Sequence, residues 1–259
     1  MIPYYTITFP KILGLQIHMF GILVAIGIVV GARLTHRRAR ELGLDDDKVA
    51  NMITTVLICG FILAHLFAVF AYQTSEPLTM WRLLNPFGGL SSYGGFMGAV
   101  GGLFFWCRKN HQPVMPYADS LAYGLATGWM FGRLGCFSAH DHPGHKTDFF
   151  LAVQYPGGAR HDLGLYEAIW SFGVTMIFQL LSRIGKQPRL LGLYVSLLVI
   201  FYAPVRFFFD SLRAYDTQGA DPRYFGLTPA QHLSILTLFA GALTIRWTLA
   251  KRSPSATPV

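Results

Sequence analysis

Residues 190–209 read LLGLYVSLLVIFYAPVRFFF, an apolar run in which Arg206 is the one charged side chain. The hydrocarbon core of a bilayer is crossed by roughly 20 residues of α-helix, which is the length of this run. The run therefore predicts a transmembrane helix.

Six further apolar blocks of similar length lie at 15–33, 50–72, 89–107, 117–136, 164–183 and 230–249. The chain of 259 residues is 53% hydrophobic and 13% charged, whereas soluble domains carry about 25% charged residues. Short polar loops separate the blocks. We therefore predict an all-α polytopic membrane protein with about seven transmembrane helices, folded as a single membrane-embedded domain over residues 1–259.

The basic residues predict how the helices are oriented. The formal net charge is +8, and most Lys and Arg residues follow the first, third, fifth and seventh blocks. Because cytoplasmic loops are enriched in Lys and Arg, this alternation predicts an N-terminus outside and a C-terminus in the cytoplasm. The outward loops are then 73–88, 137–163 and 210–229. No basic stripe with interleaved aromatic residues argues for a nucleic-acid partner.

The outward loops and the adjoining helix ends hold the polar residues that are candidates for chemistry. A glycine-rich segment near the third block contains Gly94 and Gly95, directly after Tyr93. Glycines permit close backbone approach, so this segment predicts either a substrate contact or tight helix packing.

Arg133 and Glu167 are charged residues that lie inside apolar blocks. An arginine at membrane depth, such as Arg133, costs at least about 2.5 kcal/mol on insertion scales, so it normally has a partner or a task. The alternative for Arg133 is an interfacial arginine whose head reaches water. Glu167, at the start of the fifth block, is expected to pair with an arginine because an unpaired buried carboxylate is expensive. That pair is either functional or purely structural.

Arg206, Asp210 and Arg213 lie four and three residues apart, so they share one helical face if the helix continues to Arg213. Two alternatives follow from this spacing. The face holds a phosphate between two arginines, or it forms an intrahelical salt-bridge ladder.

The loop after the fourth block is rich in possible ligands: Cys136, His140, Asp141, His142 and His145. Thiolate, imidazole and carboxylate are the usual ligands of zinc. Their spacing matches no standard zinc pattern, however. A polar loop or a source of one acid/base histidine is the favoured interpretation, and a metal site is the alternative.

At these residues the sequence resembles the prolipoprotein diacylglyceryl transferases, bacterial inner-membrane enzymes that attach a lipid to the cysteine of lipoprotein precursors. The similarity covers most of the chain. The matching stretches are 88–91 with Gly94-Gly95, Ala118-Asp119, 132–135 with Phe137 and Gly144, Arg160-His161, 165–168, 202–213, and 226–228 with Gln231.

The resemblance implies seven transmembrane helices with the N-terminus outside. It also implies transfer of a diacylglyceryl group from phosphatidylglycerol to the lipobox cysteine thiol of a prolipoprotein, which forms a thioether and releases glycerol phosphate. The lipid is itself the donor, so no cofactor and no metal are expected. The expected location is the bacterial inner membrane, with the active site on the outer side and with the bilayer and the prolipoprotein signal peptide as partners.

The sequence departs from the family pattern in the motifs expected to do chemistry. Tyr93 replaces a histidine, Cys136 replaces an asparagine and Asp141 stands at a glutamate position, while His65 stands at an arginine position. Thiol attack needs a thiolate and hence a base, and tyrosine, with a pKa of about 10, is a poor one. An imidazole from the loop after the fourth block is the expected substitute, either that of His140 or that of His142.

Arg133 and Arg206, together with Arg213, are expected to hold the lipid phosphate and to stabilise the charge on the leaving group, with Arg133 and Arg206 as the main phosphate clamps. The residues expected to act in catalysis are Tyr93, Arg133, His140, Asp141 and Arg206. Those expected to bind substrate are His65, Gly94, Gly95, Cys136, Gly144, Glu167, Tyr202 and Arg213. The alternatives are a divergent relative with another acceptor or reaction and a catalytically silent lipid-binding protein.

Overall fold

The computed structural model describes residues 1–6, 9, 17–72, 77–85, 89–184, 191–216 and 223–250, with the backbone alone at 71, 72, 93 and 247–250. This part of the chain is mostly helical. The helices are α1 (Met19–Glu41), α2 (Asp46–Phe67), α3 (Met80–Leu84), α4 (Ser92–Lys109), α5 (Val114–Ala139), α6 (Leu163–Ile184), α7 (Leu193–Ser211) and α8 (Pro229–Ala250). A π-helical turn, Ala68–Tyr72, continues α2.

Long helices coincide with each of the seven predicted blocks. Four described segments are long and apolar enough to cross a membrane: Met19–Glu41, Asp46–Phe70, Leu163–Ile184 and Leu193–Ser211. The molecule is therefore a helical membrane protein. The number of seven spans and the orientation of the termini stay predictions.

The predicted outward loop 137–163 forms three strands of a small sheet that the all-α prediction did not include, and a fourth strand comes from the N-terminal segment. Its strands are β1 (Ile2–Pro3), β2 (Pro143–Lys146), β3 (Val153–Tyr155) and β4 (Gly158–Asp162), in the order β1-β3-β4-β2. β1 runs parallel to β3, and the other pairs are antiparallel. Strands of two to five residues are too short to show an alternating apolar pattern in the sequence.

Residues 36–121 form one compact unit in which α2 and α4 pack closely. Gly94 and Gly98 of α4 lie four residues apart against the backbone of α2. A Cβ atom on Gly94 would overlap the carbonyl of Leu63, and one on Gly98 would overlap the carbonyl of Cys59. Small residues at this spacing let membrane helices approach closely. The structure therefore shows the helix-packing contact of Gly94, and its predicted contact with substrate stays a prediction.

Residues 1–35 and 122–259 form the second unit. Here α1 and α5 approach each other through glycines on both helices, and a Cβ atom on Gly27 would lie 2.8 Å from the carbonyl oxygen of Gly128. An apolar cluster from α5, α6 and α7 supports this arrangement: Ala122, Tyr123, Ala126, Val174, Phe178 and Tyr194. The prediction of a single domain stays a prediction.

We expect Gly98→Ala to destabilise the protein by about 1–3 kcal/mol, because the new methyl group meets backbone rather than a movable side chain. Gly101→Ala in the same helix is the matched control, since nothing lies within 4 Å of its added Cβ atom. Unfolding of both variants by SDS titration from mild detergent measures the difference. Equal midpoints for the two variants would contradict the close α2–α4 contact.

Candidate active site

One buried carboxylate connects three helices. Glu167, in the second turn of α6, is 3% exposed. Nε of Arg133, from α5, lies 2.9 Å from its Oε2 atom, and Arg206, from α7, donates to its Oε1 atom. The predicted pairing of Glu167 with an arginine is thus present twice. Because each buried ion costs several kcal/mol to desolvate, these charges persist at this depth only as a paired set.

The ion pairs continue along α7. Nη2 of Arg206 donates to Oδ1 of Asp210 at 3.0 Å, and Nε of Arg213 lies 3.4 Å from the same oxygen. Asp210 also accepts a hydrogen bond from Thr228, whose own Oγ1 accepts the backbone N–H of Gln231 at 3.2 Å and so caps α8. The salt-bridge ladder, one of the two alternatives for this face, is therefore present.

Aromatic rings line the Arg133 guanidinium. The guanidinium lies 4.7 Å from the ring centroid of Trp129, a cation–π distance. The Trp129 ring meets the Tyr202 ring edge-on at 5.4 Å. Tyr202 was predicted to belong to the site. Trp129 was not, because an aromatic residue in an apolar helix looks like an ordinary lipid-facing or core residue.

Cys136, Asp141 and His142 bring a thiol, a carboxylate and an imidazole together, with their ligand atoms within 4.8 Å of one another. We call these three residues the thiol–imidazole group. The group lies beside two arginines. Nη1 of Arg133 is 3.7 Å from the Cys136 sulfur, and Nη2 of Arg213 is 3.3 Å from Nδ1 of His142.

The surroundings shift the protonation of this group. Loss of water contact, followed by repulsion from Arg133 and Arg213, holds the pKa of His142 well below its ordinary value. Loss of water contact raises the pKa of Asp141, although attraction to Arg133 opposes this effect. The His142 imidazole is therefore neutral at pH 7.

His140 belongs to a different set of contacts. Its Nδ1 atom lies 2.9 Å from Oδ2 of Asp162, and its Nε2 atom lies 3.2 Å from the carbonyl oxygen of Tyr5. The Tyr155 hydroxyl donates to the same Asp162 oxygen at 2.8 Å, and Tyr4 stacks on the imidazole at 4.3 Å. With partners at both ring nitrogens, His140 fits a residue that fixes the chain after α5. Asp162 and Tyr155 carry no sequence signal that would have identified them.

Two other loop residues also make structural contacts. Gly144 is buried, and a Cβ atom there would lie 2.7 Å from the carbonyl oxygen of Leu212 and 2.8 Å from Cβ of His161. His145 contacts the carbonyl oxygen of Ser211 at 3.3 Å through Nε2. Gly144 therefore lets β2 approach the segment after α7, next to Arg213.

The remaining predicted residues belong to the unit of residues 36–121. Nε2 of His65 lies 3.0 Å from the carbonyl oxygen of Arg82, and its Nδ1 lies 3.4 Å from that of Gly89. A Cβ atom on Gly95 would lie 3.7 Å from Cβ of Ala64. Tyr93 has its side chain outside the described part of the chain. The roles predicted for these residues stay predictions.

Comparison with known proteins gives one consistent answer. The family model described as prolipoprotein diacylglyceryl transferase matches residues 8–247. A phosphatidylglycerol–prolipoprotein diacylglyceryl transferase of Chromohalobacter salexigens is 29% identical over 246 residues, which cover 92% of this chain and 90% of the relative. Proteins of the same name from Clostridioides difficile and Campylobacter hominis are 26% and 29% identical, over 89% of this chain and 90% and 86% of their own lengths.

We expect Glu167→Ala to lower the free energy of unfolding by about 3–5 kcal/mol, because it leaves buried arginine charge without its shared carboxylate. Arg40→Ala is the control. It breaks the ion pair with Asp46, in which the two side chains are 66% and 50% exposed, so we expect a much smaller change because solvent screens this pair. SDS titration of the purified proteins measures both changes. If Glu167→Ala lowered the free energy of unfolding no more than Arg40→Ala does, the result would contradict the ion pairs of Glu167 with Arg133 and Arg206.

Proposed function

The chain belongs to the prolipoprotein diacylglyceryl transferase family, and we propose that it transfers a diacylglyceryl group from phosphatidylglycerol to the lipobox cysteine thiol of prolipoproteins. The match over residues 8–247 is the observation that carries this proposal. The charges buried among apolar helices agree with it, because an anionic lipid headgroup needs cationic partners near the membrane.

The same proposal includes the topology predicted from the sequence. Seven helices cross the bacterial inner membrane, the N-terminus lies outside and the C-terminus in the cytoplasm. The thiol–imidazole group and the short sheet then face the outer side, where prolipoproteins present their signal peptides. The distribution of Lys and Arg between alternate loops supports this orientation.

Arg133 and Arg213 bind the phosphate of the donor lipid in our proposal. Glu167 engages Nε of Arg133, while Nη1 of the same guanidinium is directed to the Cys136 sulfur. Arg213 reaches the thiol–imidazole group through Nη2. By contrast, Arg206 gives one terminal nitrogen to Glu167 and the other to Asp210. We therefore assign Arg206 the task of holding Glu167, which in turn orients Arg133.

The reaction follows from this arrangement. The acceptor sulfur, as thiolate, attacks the glycerol carbon that carries the phosphate ester, an S–C bond forms and the C–O bond breaks. The electron pair leaves with glycerol phosphate, whose growing negative charge the two arginines stabilise. In the absence of another base, neutral His142 is better placed than His140 to receive the thiol proton, because both His140 nitrogens already have partners.

The test is transfer in detergent with phosphatidylglycerol and a lipobox peptide, read by mass spectrometry of the peptide thioether. Arg133→Lys and Arg213→Lys are expected to lower kcat/KM on the order of 10²-fold, since lysine cannot reproduce the planar donor pair of arginine. Arg223→Lys, an exposed arginine over the Tyr215 ring, is the control and is expected to leave transfer unchanged. Retained phospholipid without any thioether would instead support a lipid-binding protein.

The His140→Asn variant is expected to keep most of the transfer activity, whereas the His140→Ala variant is expected to lose most of that activity. Asparagine tolerates the left-handed backbone, φ 51°, of this position and keeps polar contacts, which is what a positioning residue needs. If His140 were the general base, both variants would lose about 10²–10⁴-fold in rate. The same transfer assay, with gel filtration as the check on folding, separates the two roles.

A further inference from the structure

The thiol–imidazole group has the composition of a metal site. Cys136, Asp141 and His142 offer one sulfur, one oxygen and one nitrogen ligand within 4.8 Å of one another. Three protein ligands of this kind are what a catalytic zinc site uses, with a fourth position left open for water or substrate. The mixed set of soft thiolate and harder imidazole and carboxylate suits zinc better than magnesium or calcium, which prefer oxygen.

The backbone holds the three side chains in place. α5 ends at Ala139, and the left-handed conformation of His140 turns the chain so that residues 141 and 142 come near Cys136 in the last turn of α5. The contacts of His140 with Asp162 and Tyr5 fix that turn on one side. On the other side, the N–H of Leu163 donates to the carbonyl oxygen of His142 at 3.1 Å.

The group is also accessible. The side chains of His142 and Asp141 are 23% and 43% exposed. Nδ1 of His142 lies 2.9 Å from the carbonyl oxygen of Asp141 and 3.3 Å from Arg213. Among the contacts of the described residues none involves Nε2 of His142, while Nδ1 lies 3.7 Å from Oδ1 of Asp141. A backbone partner at Nδ1 is the usual support of a ligating histidine.

We propose that Cys136, Asp141 and His142 form a zinc site whose open position binds the acceptor cysteine as a thiolate. The proposal rests on the proposed function for the identity of that acceptor. Coordination to Zn²⁺ deprotonates a thiol outright, so the acceptor proton leaves to solvent as the thiolate binds. The bound sulfur then attacks the donor carbon, and the C–O electron pair departs with glycerol phosphate. Zinc undergoes no redox change in this step.

The neighbouring charges are compatible with the cation. Arg133, Arg206 and Arg213 lie near the group, and the carboxylates of Glu167 and Asp210 offset two of these three positive charges. A Cys136 thiolate and the Asp141 carboxylate then offset the two charges of zinc. The result is a site where an anionic lipid phosphate and a thiolate are both attracted to the same place.

Zinc content tests the site without any substrate. The full chain, purified in detergent without a polyhistidine tag or chelator and incubated with zinc sulfate, is expected to retain about one zinc per chain by elemental analysis. Cys136→Ser and His142→Ala are expected to lose the metal. Cys59→Ser and His145→Ala, which change a thiol and a loop histidine outside the group, are expected to keep it. Zinc-free wild-type protein, or full zinc in Cys136→Ser, would overturn the proposal.

Cobalt substitution tests the open position. Co²⁺-loaded protein is expected to show a thiolate-to-cobalt charge-transfer band that Cys136→Ser lacks. A lipobox peptide is expected to raise that band about twofold by adding a second thiolate, and the same peptide with serine for cysteine is expected not to. A band that the cysteine peptide leaves unchanged would overturn acceptor binding.

The outcomes also separate this proposal from the proposed function. Metal-depleted protein that still forms the peptide thioether at the full rate would overturn the zinc proposal and leave the transferase function standing. Zinc and thiol binding without any thioether formation would support the site and count against the transferase function.

Discussion

The electrostatic pairing of Glu167 with two arginines is the constraint on which the second unit depends. A single carboxylate that is 3% exposed can remain charged only if guanidiniums from α5 and α7 reach it, and each arginine in turn needs that carboxylate. The three helices are therefore fixed relative to one another at this level. Asp210 and the capping residue Thr228 extend the same constraint to α8.

This constraint divides the arginines by task. A guanidinium has five N–H donors, and the contacts with carboxylates determine which of them are left for a substrate. Both terminal nitrogens of Arg206 are used on Glu167 and Asp210, so it holds the network together. Arg133 and Arg213 each also contact the thiol–imidazole group. A preorganised set of donors of this kind needs little rearrangement when charge develops on a leaving group.

The sequence predicts those features whose absence would cost a large amount of free energy. Apolar blocks of membrane length predict the helices, and the cost of an unpaired buried carboxylate predicts that Glu167 pairs with an arginine. The short sheet of residues 143–162 leaves no such signature. The three residues of the thiol–imidazole group come together through the left-handed backbone of His140, a conformation that is uncommon for residues other than glycine. A sequence pattern does not show this turn, and the spacing of the three residues matches no standard ligand pattern. His140 itself resembles a free base in sequence, and only the three-dimensional structure shows that Asp162 and Tyr5 contact both of its ring nitrogens.

The departures from the family pattern make chemical sense when considered together. The resemblance implies that Tyr93 stands where the family has a histidine, and a base is needed only if the acceptor thiol must be deprotonated by proton transfer. A cation that binds sulfur removes that need, because it lowers the pKa of the thiol directly. The thiol of Cys136 and the carboxylate of Asp141, at two other altered positions, are ligands for such a cation and meet at His142. In the zinc proposal, the residues at positions 136 and 141 supply what a histidine at position 93 would otherwise provide, and an altered motif is then compatible with an unaltered reaction.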